Sequence, residues 1–495
     1  MELILIVIYG IALLFIFCYS LIQVQLVIKY HKYKKQQATR TATASINEKF
    51  LPKVTVQLPI FNEKYVAQRL IEKVAGLDYP ADLLEIQVLD DSTDETAEII
   101  KNSVNQLKEE GLDIIQLHRT DRSGFKAGAL AAGLTVAQGE FIAIFDADFL
   151  PKKDFLRKTI AHFSNPKLGM VQTRWEHINE KYSLLTKLQA FGLDAHFSVE
   201  QGGRNGGGHF INFNGTAGVW RKKAIEDAGG WQSDTLTEDL DLSYRAQLSG
   251  WEFLFLEEVG APAELPAAMN ALKTQQFRWN KGAAECARKN LMKVLRSPSI
   301  SFGTKLNALF HLMNSGVFVC IVILAFLSLP MLAIKNNFTE YSLLFTLAGF
   351  FLITVPILAY FYWTSLKRDY ANKFKAALHF CVLFPLFLSV SMGLSLHNAM
   401  AVLEGYIGKK SPFIRTPKFN LTDDASKKWK TNEYLKRSIN PLTVVEVFFA
   451  LYFLFGISLA FRYQDFGLLP FHIMLFLGFA YVSILSISHS LKSNH

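Results

Sequence analysis

Charge is scarce in this chain. Only 19% of its 495 residues are Asp, Glu, Lys or Arg, where about 25% is usual for a soluble domain. Cysteine is scarcer still. Cys18, Cys286, Cys320 and Cys381 are the whole set; no two share a metal-ligand spacing, and three lie in apolar stretches. That pattern excludes a disulfide framework and a zinc site. No GxGxxG follows the first strand-like run, so the dinucleotide-binding fingerprint is missing. No internal repeat is visible. The 52 basic and 43 acidic residues leave +9, too little at this length to point to nucleic acid. Basic clusters beside apolar spans instead mark a cytoplasmic membrane face. What the chain has in quantity is hydrophobic residues, 50% of the total, with 41 Phe among them. Such a chain is neither disordered nor wholly soluble. Its charged residues are still too many for a bundle that is membrane throughout, so the average covers two kinds of sequence.

Residues 3–28 are apolar and end before Lys29, His31, Lys32, Lys34 and Lys35. A signal peptide carries its charge ahead of a shorter core. Here the charge follows a core long enough to span a bilayer, so residues 1–35 read as a retained anchor with its N-terminus outside and the following residues in the cytoplasm. From 36 to 311, strand-like runs at Val54–Leu58, Glu85–Leu89, Ile114–Leu117 and Phe141–Phe145 alternate with helical patterns such as Glu63–Val74 and Thr93–Glu109. The alternation predicts an α/β domain, a mixed, largely parallel sheet with helices on both faces. The run Gly202, Gly203, Gly206, Gly207, Gly208 reads as a flexible loop.

Residues 312–495 return to apolar runs. Gly316–Ile334, Ser342–Trp363 and Phe466–Ile487 are long enough to cross, and Val444–Leu459 is marginal. Residues 376–403 differ. Lys367, Arg368, Lys373 and Lys375 precede them and a basic stretch, Lys409 to Lys436, follows. A full crossing there would place positive charge on both sides. The expectation is an interfacial or partly inserted helix at about 376–403 and five full crossings, with six as the alternative.

The chemistry lies at strand ends. The run at 85–89 leads into Asp90-Asp91, and that at 141–145 into Asp146-Ala-Asp148. Ligands of open α/β sheets bind at the carboxyl ends of strands. One such Asp commonly only caps a helix; two pairs together point to an acidic site, with Asp146 and Asp148 spaced to grip a hard divalent cation such as Mg²⁺ or Mn²⁺. Lys126, near Arg119 and Arg122, could neutralise a diphosphate. Thr237-Glu238-Asp239 opens a helical pattern, and a carboxylate there could take a proton from a hydroxyl. In Gln275-Gln276-Phe277-Arg278-Trp279, Arg278 could hold phosphate and Trp279 offers a flat face to a sugar ring.

In order, these motifs resemble the D, DxD, TED and QxxRW elements of inverting family-2 glycosyltransferases of the cellulose-synthase superfamily. The chain is most similar to the cellulose-synthase-like A and C group of mannan and glucan synthases. The resembling stretches are QLPIFNE (57–63), IQVLDDSTDET (86–96), GFKAGAL (124–130), FIAIFDADFLPKKDFLRKTI (141–160), FNGTAGVWRKKAIEDAGGW (213–231), TEDLDLSYRAQLSGW (237–251) and QQFRW (275–279). The resemblance implies a GT-A fold for the soluble block. By it, Asp90 or Asp91 contacts the nucleoside, and Asp146 and Asp148 hold the metal on the donor diphosphate beside Lys126. Asp239, next to Glu238, is the general base. Gln275, Arg278 and Trp279 close the donor site and support the acceptor sugar, and Phe213, Asn214, Gly215 and Thr216 correspond to the family's finger loop on the acceptor side. Ser411–Lys418 resembles the cellulose-synthase gating loop (about 405–440 here) through Phe413, Thr416 and Lys418, with Arg415 in place of Val. Bacterial cellulose synthases of the family carry a PilZ domain after the catalytic part; the tail here ends in Lys492-Ser-Asn-His495, so no built-in cyclic-di-GMP domain is expected.

The resemblance therefore implies a multi-pass enzyme of the inner (plasma) membrane with a cytoplasmic catalytic domain and no nucleic-acid partner. It would transfer hexose from UDP-glucose or GDP-mannose into β-linkages of a growing glycan, processively. The alternative is a single transfer to a membrane lipid such as ceramide or diacylglycerol.

Overall fold

A computed structural model describes residues 1–43, 50–421, 434 and 440–491. Residues 422–433 and 435–439 of the gating-like loop, and the tail 492–495, lie outside the described residues.

Seven strands form one sheet: β1 (Val54–Ile60), β2 (Leu84–Asp90), β3 (Asp113–His118), β4 (Phe141–Ile144), β5 (Leu168–His177), β6 (Gly218–Arg221) and β7 (Glu252–Ala263). Their order is β3-β2-β1-β4-β6-β5-β7. β1 to β4 pair in parallel, as do β5 and β7, while β6 runs antiparallel to both its neighbours. The sheet is thus mixed and largely parallel. Val54, Val56, Leu58, Ile86 and Val88 pack into the core on one face, and Ile142, Ile144, Met170 and Trp220 into the core on the other. β4 is apolar throughout, as a strand buried on both faces can be, whereas β1 and β2 alternate, with Thr55, Gln57, Glu85 and Gln87 all buried. Where polar side chains do enter, they pair: Gln57 Nε2 donates to Gln87 Oε1 at 3.0 Å.

The glycine-rich run is a loop only at its end, where Gly207 and Gly208 form a turn. Gln201–Gly206 is helical, and its glycines are contact points. A Cβ on Gly203 would meet Leu26 O at 2.5 Å, and one on Gly206 would meet Tyr33 Cβ at 2.5 Å. Small residues let two helix backbones approach closely, so the run fastens the catalytic block to the N-terminal helix, Glu2–Thr43.

Among the described residues, six helices are long and apolar enough to cross a membrane: Glu2–Lys35, Gly316–Asn337, Thr339–Asp369, Lys373–Gly393, Leu442–Tyr463 and Leu469–Ser490. The run read as marginal extends to Leu442–Tyr463, with mean hydropathy 2.2. The Lys373–Gly393 segment takes a particular path. Just before it, Arg368 Nη1 bonds Glu257 Oε1 of β7 at 2.8 Å. Its far end, Gly393, lies against Gly478 O, where a Cβ would sit 2.3 Å away, in the middle of the Leu469–Leu491 helix. There the chain breaks at Leu394 and a second helix, Ser395–Ile407, begins. Glu404 on that helix meets Lys281 of the Met269–Arg296 helix at 3.1 Å. Both ends of 373–407 thus lie beside the catalytic block.

Candidate active site

One cavity at the carboxyl ends of β1, β2 and β4 gathers most of the residues named from the sequence. Asp91, Lys126, Asp146, Asp148, Asn214, Gly215, Glu238, Asp239, Gln275, Arg278, Trp279, Phe413, Thr416 and Lys418 all line it. Strand order explains the convergence. β1 and β4 are neighbours, so the segments leaving them open onto the same space.

Lys126 is the hub. The helix Phe125–Val136 starts at Gly124, whose φ is +72°, and places Lys126 Nζ 2.5 Å from Asp146 Oδ1 and 2.8 Å from Gly215 O. Burial works against its charge, but Asp146, Glu238 and Asp239 outweigh burial and hold the ammonium protonated, above its usual range. Asp239 is pushed up to about 7, first by burial and then by the neighbouring Glu238 carboxylate, against the pull of Lys126. Glu238 is raised as well, chiefly by burial. Gly215 has φ +80°, and a Cβ there would lie 3.0 Å from Asp239 Oδ2. The left-handed turn at Gly215 therefore brings backbone where a side chain would press on the carboxylate.

Asp146 and Asp148 leave β4 as two hard oxygen donors. Asp148 Oδ2 receives Lys418 Nζ at 2.6 Å, so both carboxylates accept a cation from the cavity side. Among the described residues no group of three or more His, Cys, Asp and Glu is disposed to hold an ion. Mg²⁺ and Mn²⁺ need no third protein carboxylate when phosphate oxygens and water complete the shell. The donor set fits such an ion bound together with a nucleoside diphosphate.

The 411–421 segment lies over the cavity. Phe413 stacks on Phe125 at 5.7 Å and lies 4.4 Å from the Arg278 guanidinium. Arg278 Nη2 donates to Thr416 Oγ1 at 3.1 Å. Trp279 has Trp175 6.4 Å away. A second, mostly apolar cavity shares Gln275 and Trp279 with the first and runs on past Phe318, Tyr362, Phe387 and Asn398. Asn398 is 1% exposed, and neither side-chain polar atom has a partner among the described residues.

Three expected site residues do not face the cavity. Asp90 is fully buried; its carboxylate accepts from Ser92 N at 2.8 Å and Gln116 Nε2 at 2.9 Å, and lies 2.9 Å from His118 Nδ1. It braces the ends of β2 and β3, while Asp91 lines the site and holds Arg119 through both oxygens, at 2.8 and 2.6 Å. Phe213 is fully buried among Trp220 and Trp231. Thr216 is fully buried too, and its Oγ1 accepts from Asp146 N at 2.9 Å. It orients the acidic turn. Of the acceptor-side quartet, Asn214 and Gly215 reach the space.

Other lining residues were not assigned roles from the sequence. Glu63 and Glu264 are both buried and both pushed up to about 7, first by burial. Arg415 lies 3.4 Å from Glu63, and Glu264 Oε1 accepts from Phe419 N at 2.8 Å. Glu63 stands in a quoted motif, PIFNE. Glu264 follows β7, which has no simple alternation to announce it.

The mixed, largely parallel sheet with its acidic cavity at the strand ends is a GT-A fold. Residues 52–282 match the family described as glycosyltransferase like family 2. Among curated proteins it is 39% identical over 329 residues to glucomannan 4-beta-mannosyltransferase 1 of Cyamopsis tetragonoloba, covering 64% of this chain and 62% of that one. It is 42% identical over 259 residues to glucomannan 4-beta-mannosyltransferase 7 of Arabidopsis thaliana, covering 51% of this chain and 47% of that one. The chain therefore spans about half to three-fifths of the length of these relatives. Among solved structures, mannosyltransferase PcManGT of Pyrobaculum calidifontis, in complex with GDP-Man and Mn²⁺, superposes with a TM-score of 0.50 at 18% identity. The match covers 79% of this chain and all of that one. At that identity the likeness speaks for the fold.

Proposed function

We propose that this protein is a membrane-embedded, inverting hexosyltransferase that builds a β-linked glycan from a nucleotide sugar at the cytoplasmic face of the plasma membrane. The observation that carries the reading is one cavity lined by Asp239, Lys126, Asp146 and Asp148, in which Lys126 Nζ bonds Asp146 Oδ1 at 2.5 Å and the Gly215 turn lies against both Lys126 and Asp239. The curated relatives are glucomannan mannosyltransferases, which favours GDP-mannose over UDP-glucose as donor and a polysaccharide over a lipid product.

In this reading Asp91 faces the nucleoside. Lys126 and Arg278 offset the negative charge that develops on the leaving diphosphate, where fixed cations act most strongly because they need no reorganisation. An acceptor hydroxyl, positioned on Trp279, loses its proton to Asp239 as its oxygen attacks the anomeric carbon from the face opposite the nucleotide. A single displacement inverts the centre and converts an α-linked donor into a β-linkage. Asp146 and Asp148 would hold a Mg²⁺ or Mn²⁺ ion, which supplies further positive charge at the diphosphate when bound. The second cavity, entered past Trp279, supports a path for a chain that stays bound between transfers. The segment with Phe413, Thr416 and Lys418 would cover the donor like the gating loop it resembles. The kink at Leu394, with both ends of 373–407 beside the catalytic block, supports an interfacial or partly inserted helix, hence five crossings and a catalytic block on the loop's side of the membrane.

Membranes holding the full-length protein, supplied with labelled GDP-mannose or UDP-glucose, test the reading. Label should enter an insoluble or size-excluded polymer sensitive to a β-mannanase or β-glucanase. Label confined to an organic-soluble lipid fraction would overturn it.

A further inference from the structure

Asn214 sits at the acceptor edge of the site, and its amide is held in one orientation by a chain of bonds that no motif announces. The chain starts at a backbone carbonyl. Gln201 Nε2 donates to Asn212 O at 2.9 Å and to Asn214 Oδ1 at 2.8 Å. A carbonyl only accepts, so the Gln201 atom is its nitrogen and the Asn214 atom facing it is its oxygen. Asn214 Nδ2 therefore points the other way, to His196 Nε2 at 3.0 Å. An amide nitrogen only donates, so Nε2 accepts and the imidazole proton sits on Nδ1. That nitrogen lies 2.6 Å from Glu200 Oε2, and Arg204 bonds the other carboxylate oxygen. Every link is polarised in one direction, from Asn214 through His196 to Glu200.

The local backbone is built for this. The helix Leu184–Ala195 passes into a π-turn, His196–Glu200, before Gln201–Gly206 resumes α-geometry. In an α-helix, residues five apart diverge; i→i+5 closure stacks them on one face, and such turns concentrate at functional positions. Here it lets His196 and Gln201 clasp the same amide. Asn214 N is also anchored, donating to Gln172 Oε1 at 2.9 Å. These bonds use one amide N–H and one lone pair of Asn214, leaving one of each for a sugar hydroxyl. The next residue, Gly215, carries the carbonyl that receives Lys126 and lies against Asp239.

We infer that His196 is a positioning residue for the acceptor sugar. It fixes the amide face that Asn214 presents to acceptor hydroxyls, with Glu200 and Arg204 fixing His196 in turn. The inference rests on the hexosyltransferase reading for its acceptor and on the bonds above for the clamp.

The test uses the full-length protein in lipid nanodiscs with mannohexaose as acceptor. His196→Leu should raise the acceptor KM about tenfold, the scale of one or two lost hydrogen bonds, with donor KM and kcat within about twofold. His196→Gln, whose Oε1 can take the Asn214 N–H, should recover most of the loss. On an Asn214→Ala background, His196→Leu should add nothing. A full additional loss in the double variant, or a fall in kcat with the acceptor KM unchanged, would overturn the proposal. Amide hydrogen exchange at 213–216 reads the clamp with no sugar present. His196→Leu should speed it, and unchanged exchange also overturns the proposal. A wild-type protein that transfers no hexose sinks the functional reading, while exchange still decides the clamp.

Discussion

Gly215→Ala perturbs the site through one methyl group, and the structure sets its size. The residue has φ +80°, a conformation that costs an Ala about 1–2 kcal/mol. The new Cβ would lie 3.0 Å from Asp239 Oδ2 and 3.4 Å from Lys126 Nζ, so the carboxylate must retreat by a few tenths of an ångström. Displacing a reacting group by about 1 Å costs on the order of 100-fold in rate, so a shift of this size should lower kcat about three- to tenfold. Donor KM should move less than kcat, because Asp91 and Asp148 are untouched and a Cβ 3.4 Å from Lys126 Nζ makes an ordinary contact that leaves the bond to Asp146 in place. The methyl group also removes water from a carboxylate already raised to about 7. The base must be ionised to work, so the acidic limb of the rate profile should move to higher pH. Gly111→Ala is the control: its φ is +91°, with nothing within 4 Å of a Cβ, so it carries the backbone cost without touching the base. Initial rates of labelled-hexose transfer between pH 5.5 and 9 measure all of this. A Gly215→Ala protein with wild-type kcat and an unmoved acidic limb would refute the placement of Asp239 as base.

Three further outcomes are expected. In the unmodified protein kcat/KM should rise about tenfold per pH unit below pH 7 and level off above it, and Asp239→Asn should abolish transfer while nucleotide binding by calorimetry stays near normal; persistence of turnover would reassign the base. EDTA should stop transfer, and Asp148→Asn should weaken Mn²⁺-dependent GDP binding more than tenfold; metal-independent binding would remove the Asp146–Asp148 pair from that role. A topology reporter fused after residue 430 should report the same side as one fused within 36–311; an external signal there would replace five crossings with six.

The parts of the fold legible in the sequence were those whose burial is uniform. β1, β2 and β4 lie between two covered faces; Phe141–Ile144 appears as a short apolar block, while Val54–Ile60 and Leu84–Asp90 show period-2 alternation whose polar members, Thr55, Gln57, Glu85 and Gln87, are buried too. β5 to β7 were not visible. β5 carries Arg174 and Glu176 at its half-exposed end, and its pairing with β7 shifts register between Thr173 and Arg174. The glycines at 202–206 misled because flexibility is their commoner use, whereas here their small size serves close helix packing. The carboxylate motifs were legible because they are local to strand ends. Which carboxylate of a pair faces the cavity was not, since alternation along the chain turns Asp90 inward and Asp91 outward, and likewise buries Phe213 and Thr216 beside the open Asn214 and Gly215. The His196–Asn214 clamp joins positions 18 apart through a π-turn, and no periodic pattern encodes that.

The glycine contacts at 203 and 206 have one more consequence. The short helix that rests on the N-terminal span begins with Gln201, the residue that orients Asn214 at the cavity wall. Anchor and active site therefore meet through a single turn of helix. Cutting the catalytic block away from Glu2–Thr43 would expose Gly203 and Gly206 and remove the support beneath Gln201 and Asn214. In the proposed reading, bilayer thickness or lipid composition, acting on the tilt of that first helix, would be felt as a change in acceptor affinity.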